Sequence, residues 1–182
     1  MPAFVVTLRA ADAAEAVRLA FELAILTATR TTEVQRAMWD EVDLAAKLWT
    51  IPAERMKMKL PHRIPLSPRA VEIFTRAKAI STGGRFVFAG RTPGEPISNM
   101  AFVMLLRRFK LETITTHGFR SSFRDFAADE TNAPNEVCEA ALAHKLRDPT
   151  EAAYRRSDRF EKRRTLMGTW EQFVTTPPAE AQ

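Results

Sequence analysis

Apolar residues return every three or four positions along several stretches of this chain, and in one stretch they alternate instead. Val17, Phe21, Ala24 and Ala28 follow the first rhythm, which predicts an amphipathic helix over roughly residues 13–28. Asp12, with Glu15 three residues later, reads as its capping box. "TTEVQRAMW" (31–39) reads as a second, short helix. From Val42 to Leu66 the rhythm changes to short alternating runs, "EVDL", "KLWTIP" and "HRIPLS", separated by charged or turn-forming residues. That pattern predicts a small antiparallel sheet. Ser67 and Pro68 form an N-cap and N1 pair opening a helix through Val71, Phe74 and Ala77, which "STGG" stops.

Beyond this point the helical period dominates. "RFVFAG" is a short apolar segment before the turn "RTPGEP", and Ser98 can cap a helix carrying Phe102, Leu105 and Phe109. A helix from about His117 to Asp129 places Phe119, Phe123 and Phe126 on one face. Another runs from near Pro134 to close to His144. Asp148, Pro149 and Glu151 make an N-cap, N1 and N3 set, which puts Tyr154 in the second turn of a short helix. The last amphipathic helix spans roughly 158–173 with Phe160, Met167 and Trp170, and residues 174–182, ending "TTPPAEAQ", form a disordered tail. The expected class is mainly α with a small antiparallel β-sheet (α+β), as one domain over 1–173.

Composition narrows the function classes. A chain of 182 residues, 46% apolar and 27% charged, suits a single globular domain with a real core. No apolar run approaches the ~18 residues of a membrane span. The start, "MPAFVVTLRAADAAEA", lacks the basic-then-apolar form of a secretory signal. A single cysteine, Cys138, excludes an internal disulfide and fits a reducing cytoplasm. A net charge of +5 and a pI near 9.8 favour a polyanionic partner such as nucleic acid. Three histidines and one cysteine show no zinc-site spacing, and no phosphate-binding glycine loop or nucleophile elbow is present. Neither a metal nor an organic cofactor is expected.

Several polar residues remain that could carry chemistry. In "THGFRSSFRDF", His117 and Arg120 are three apart and share a helical face. A guanidinium clamps phosphate, and an imidazole accepts a proton near neutral pH. A solvated polar face would explain the same residues. In "LTATRTTEVQ", Arg30 follows an apolar helix with Glu33 three residues on. Their ion pair could be merely local, or could hold the guanidinium rigid. "ERMKMKLPHRIPLS" carries Lys57 and Lys59 where the sheet turns, each either solvated or able to protonate a leaving oxygen. His62, in the same stretch, reads as a surface or backbone-contacting residue. Tyr154 is the chain's one tyrosine, ten residues after His144, and a lone tyrosine ordinarily packs its ring.

"TATRTTEV", "KMKLPHRIPL", "HGFR", "LAH" and a tyrosine ten residues past that histidine, in this order, resemble the catalytic domain of the tyrosine recombinases. Integrases of bacteriophages and genomic islands are the nearest likeness, over about residues 3–173. The resemblance implies that Tyr154 is the nucleophile and that Arg30 and Arg120 hold the scissile phosphate. It makes Lys57 the sheet-borne general acid, with Lys59 the alternative. His117 becomes the proton acceptor, His144 a hydrogen-bond donor to the phosphate, and Glu33 the support of the first arginine. Two glycines of the family pattern are alanines here, Ala28 and Ala143. The implied reaction is metal-free: the tyrosine attacks a DNA phosphodiester, leaving a 3′-phosphotyrosyl link and a 5′-hydroxyl, and a partner strand reverses the step.

The implied partner is double-stranded DNA at an attachment-site core, in the bacterial cytoplasm and without a membrane. The resemblance also implies a homo-tetramer on DNA, room for accessory directionality factors, and a catalytic domain lacking the upstream DNA-binding domains, monomeric by itself. A type IB topoisomerase and a catalytically silent DNA-binding relative are the competing readings. The wider motif context disfavours the first, and the intact six-residue set disfavours the second.

Overall fold

The structure, a computed structural model, describes residues 1–144 and 159–176. Within them the helices are α1 (Pro2–Arg9), α2 (Glu15–Thr27), α3 (Thr31–Gln35), α4 (Pro68–Ala79), α5 (Ala101–Arg108), α6 (Gly118–Asp129), α7 (Asn135–Ala141) and α8 (Phe160–Thr175). Three strands, β1 (Val42–Asp43), β2 (Leu48–Ile51) and β3 (His62–Pro65), lie between α3 and α4. They form one antiparallel sheet in the order β1-β2-β3, so the fold is mainly helical with a small sheet, as the alternation predicts. The register pairs Trp49 with Ile64 and Ile51 with His62, and all four side chains are buried.

Helix α2 runs through the centre, with Leu19, Ala20, Phe21, Leu23, Ile25 and Leu26 all buried. A helix apolar on most sides must be covered on most sides, and α1, α4, α5 and α8 pack around it. Phe21 stacks on Phe102 at 4.4 Å between centroids and meets Phe119 edge-on at 5.3 Å. Phe123 and Phe126 close on Trp170 of α8, whose indole donates to the Ile25 carbonyl at 2.8 Å. The aromatic face expected on α6 therefore anchors it in the core. Cys138 is buried as a free thiol.

The structure corrects several local expectations, three of them through a distant partner. Helix α1 escapes the pattern because its eight residues bury only Val5 and Leu8, too few turns to show a period. The Asp12–Glu15 capping box does not form. Ala14 is the N-cap, and Glu15 instead takes both nitrogens of the Arg76 fork at 2.7 and 3.0 Å, a bidentate charged pair that outcompetes a local cap. Helix α3 stops at Gln35 rather than Trp39, because Ala37 O and Trp39 N pair with Val87 N and Arg85 O of "RFVFAG". Ser67 occupies the N-cap position of α4 without capping it. The Arg69 N–H that its hydroxyl would take is claimed by Glu171 of α8 at 3.1 Å. Helix α8 continues to Thr175, so Val174, fully buried, belongs to the core and not to a tail. The short helix expected around Tyr154 and the tail residues 177–182 lie outside the described residues.

Candidate active site

Arg30 sits where α2 ends and α3 begins. The chain turns there through Ala28, in the left-handed region at φ 50°, and Arg30 becomes the residue before α3. Glu33, 4% exposed, accepts the Arg30 backbone N–H at 2.7 Å and its Nη1 at 2.8 Å. One bond from the guanidinium and one from the backbone of the same residue tie Arg30 to this buried carboxylate. The ion pair is local, and it also points a cation out of the core.

Arg120 lies one turn into α6 and is buried. Its Nη1 donates to the carbonyl of Ala28, and its Nη2 donates to the carbonyl of Leu142 at 2.7 Å. Ala28 and Leu142 are the C-terminal caps of α2 and α7, so the guanidinium meets the negative ends of two helix dipoles. Nη2 also lies 3.2 Å from His144 Nε2, while its Nε is buried with no hydrogen-bond partner among the described residues. Burial, reinforced by the nearby Arg30 charge and opposed by Glu33, pulls the Arg120 pKa down to about 10. The group remains a cation at neutral pH.

His144 follows Ala143, another left-handed residue at φ 49°. Its Nδ1 lies 2.9 Å from Glu139 Oε2, so with Arg120 donating to Nε2 the ring proton sits on Nδ1. Glu139 also takes Arg124 Nε at 3.0 Å. Burial pushes the Glu139 carboxyl up, but hydrogen bonds from His144 and Arg124 outweigh it and keep it below the usual range. His117 is the exposed N-cap of α6. The residue before it, Thr116, bonds Thr31, the residue after Arg30, at 3.0 Å. Arg30, His117, Arg120 and His144 are thus tied into one region by hydrogen bonds or by one intervening residue.

Lys57 and Lys59 are exposed on the segment between β2 and β3. Lys59 adopts φ 54° and its ammonium lies 3.5 Å from the Glu54 carbonyl. The segment is bound to the site through Arg55, which pairs with Glu41 and donates to the Glu33 carbonyl at 2.6 Å. Tyr154, the remaining candidate, lies outside the described residues.

Glu139, Arg55 and Glu41 were not singled out from the sequence, since nothing in their spacing marks them. His62 was read as a surface or backbone contact. It is buried at 8% exposure, against the Ala141 carbonyl, with Arg163, Arg120 and Arg30 nearby. Burial first, then those three charges, drive its pKa down to about 3 against the pull of the carbonyl, so it is neutral. Among the described residues no three His, Cys, Asp or Glu side chains gather as a metal site, and no helix is long and apolar enough to cross a membrane.

The sequence profile of the phage integrase family matches residues 3–160. Prophage integrase IntA of Escherichia coli (strain K12) is 38% identical over 176 residues, covering 96% of this chain and 42% of that protein. The integrase of Enterobacteria phage P4 is 30% identical, over 95% of this chain and 43% of its own length. The chain therefore spans less than half the length of these relatives. In fold it is similar to the integrase from mycobacterium phage Brujita, with a TM-score of 0.68 at 19% identity over 94% of this chain and 57% of that one. It is also similar to a lambda integrase (75–356) dimer bound to a COC′ core site, with a TM-score of 0.58 at 23% identity over 87% of this chain and 58% of that one. With its helices and small sheet, and with the family profile over most of its length, this chain belongs to the phage integrase family of tyrosine recombinases.

Proposed function

We propose that residues 1–173 form a catalytic domain for site-specific DNA recombination, cutting and rejoining strands through a 3′-phosphotyrosyl intermediate. The observation that carries this reading is the convergence of a buried Arg120 and a Glu33-oriented Arg30 beside His144. Phosphoryl transfer needs charge neutralisation and positioning more than covalent help. Two fixed guanidinium groups supply both before the substrate arrives.

In this reading Arg30 and Arg120 hold the non-bridging oxygens of the scissile phosphate. His117 takes the proton from the attacking Tyr154 hydroxyl. Lys57 gives a proton to the departing 5′-oxygen. His144, its Nδ1 held by Glu139, gives a hydrogen bond from Nε2 to a phosphate oxygen that displaces the Arg120 contact. Each step exchanges one phosphodiester for another, so no nucleotide is consumed, and the arginines and imidazoles take the charge-neutralising role that a metal plays elsewhere. The substrate is an attachment-site core in the bacterial cytoplasm. The DNA-bound assembly is a tetramer with accessory directionality factors as further partners, and this chain by itself is a monomer.

The test is covalent trapping on a pool of nicked duplexes randomised on both sides of one fixed linkage, in excess EDTA. The unmodified chain should yield a denaturation-resistant adduct, and Tyr154→Phe should yield none while binding duplex equally well. An adduct surviving in that variant, or strict dependence on a divalent ion, contradicts the reading. Strand exchange with a second duplex distinguishes a recombinase from a relaxing topoisomerase.

A further inference from the structure

The segment that carries Lys57 has little of its own to hold it. Between β2 and β3 it contains a single 3₁₀ turn, Ala53–Arg55, followed by a tight turn in which Lys59 is left-handed. Lys57 and Leu60 are exposed. An ammonium on such a segment would sample many positions. General acid catalysis needs it within hydrogen-bond reach of one oxygen.

Two side chains oppose that freedom: Met56, buried in the core at 3% exposure, and Arg55, which ties the segment to the residue supporting Arg30. Arg55, two residues before Lys57, keeps only 14% of its side chain exposed. Its Nη1 pairs with Glu41, which is 5% exposed, and its Nη2 donates to the Glu33 carbonyl at 2.6 Å. Both acceptors are themselves fixed. The other Glu41 oxygen accepts the Trp49 indole N–H at 3.0 Å and the Met38 N–H at 3.3 Å, which locks it to the sheet. Glu33 is the residue whose carboxylate orients Arg30. One guanidinium therefore spans from the sheet to the arginine support, with the lysine segment hanging from it. A surface ion pair would contribute little, but a buried fork with two fixed acceptors defines a geometry.

Building on the reaction proposed above, we propose that Arg55 is a positioning residue for strand cleavage. It fixes the Lys57 segment against the Glu33–Arg30 pair, so that the ammonium meets the leaving 5′-oxygen of the phosphate that Arg30 holds. Arg55 itself touches no reacting atom.

The test compares the unmodified chain, Arg55→Ala, Glu41→Gln, Lys57→Ala and the Arg55→Ala/Lys57→Ala pair on two versions of the randomised nicked pool. One has an ordinary fixed linkage and the other a 5′-bridging sulfur, which departs as a thiolate needing little protonation. On oxygen, Arg55→Ala should slow adduct formation by roughly the 10²-fold at the lower end of general acid catalysis. On sulfur the rate should return to within about tenfold of the parent, and the double variant should be no slower than Lys57→Ala alone. Glu41→Gln keeps the volume and removes one charged acceptor. It should show a smaller loss with the same sulfur rescue and unchanged duplex affinity, which keeps the assignment testable should Arg55→Ala fold poorly.

If sulfur rescues Lys57→Ala but neither Arg55→Ala nor Glu41→Gln, the assignment of Arg55 falls while the reaction stands. If sulfur fails to rescue Lys57→Ala, or the parent forms no adduct, the proposed reaction falls and this assignment with it.

Discussion

Protonating His62 would set a further positive charge among Arg163, Arg120 and Arg30 in a place that water barely reaches. The folded protein therefore refuses a proton that the unfolded chain accepts near the ordinary histidine pKa of about 6.5. Between that value and about 3 only the unfolded state binds it. The stabilisation from a neutral His62 is thus complete above pH 6.5 and is lost as the pH falls through the window. The slope is up to about 1.4 kcal/mol per pH unit. Denaturant titrations from pH 7 to pH 4 should show His62→Asn losing stability less steeply than the parent, since an amide can still donate to the Ala141 carbonyl. Equal slopes would mean that His62 reaches solvent. Of the two readings the sequence allowed, the backbone contact holds, with Ala141, and the surface position does not, because a histidine beside "LPHRIP" gives no sign of its depth. Only pairing of β3 with β2 and closure of α7 and α8 bury it.

At the scale of elements, the two alanines that replace expected glycines have a conformational meaning. Ala28 and Ala143 both adopt left-handed backbone, which costs a residue with a Cβ roughly 1–2 kcal/mol. Ala28 is 1% exposed, so its methyl regains part of that cost by packing. Ala143 is half-buried and regains less. Ala143→Gly should therefore stabilise the protein by about 1 kcal/mol, a rise of roughly 2–4 °C in Tm for a chain of this size. Ala28→Gly should change it little. Calorimetry on both variants checks the ordering, and the reverse ordering would contradict it.

The same scale separates what was legible from what was not. Helices α4 and α6 were readable because each lays one recurrent apolar face on the core, and α2 because apolar residues recur along it, although it is buried on most sides. The sheet was readable because β2 alternates at Trp49 and Ile51. Arg30, Arg120 and His144 stood out only through the resemblance to the tyrosine recombinases. The end of α3, the bare N-cap of α4, and the roles of Glu139 and Arg55 were not readable. Most are decided by a partner far along the chain, as Glu171 is for Arg69 and Glu33 for Arg55, while Glu139 meets His144 only after the turn at Ala143.

Across the whole molecule, a surplus of five positive charges makes binding to duplex DNA a matter of releasing counterions. This chain should bind a random duplex with Kd on the order of 10⁻⁴–10⁻⁶ M at physiological salt and should sediment as a monomer at micromolar concentration. Lys57→Ala should lower the steepness of log affinity against log salt by about one phosphate contact. Nanomolar, salt-insensitive binding or a stable tetramer without DNA would contradict this. Closure of the site also has a place in time. The contact from Arg120 to Ala28 joins residues 92 apart in the chain, and the one to Leu142 another 22. Contacts so distant in sequence are slow to find each other, since a long loop must close first. A chain still on the ribosome therefore has no phosphate clamp until residue 142 has emerged and folded back onto α2.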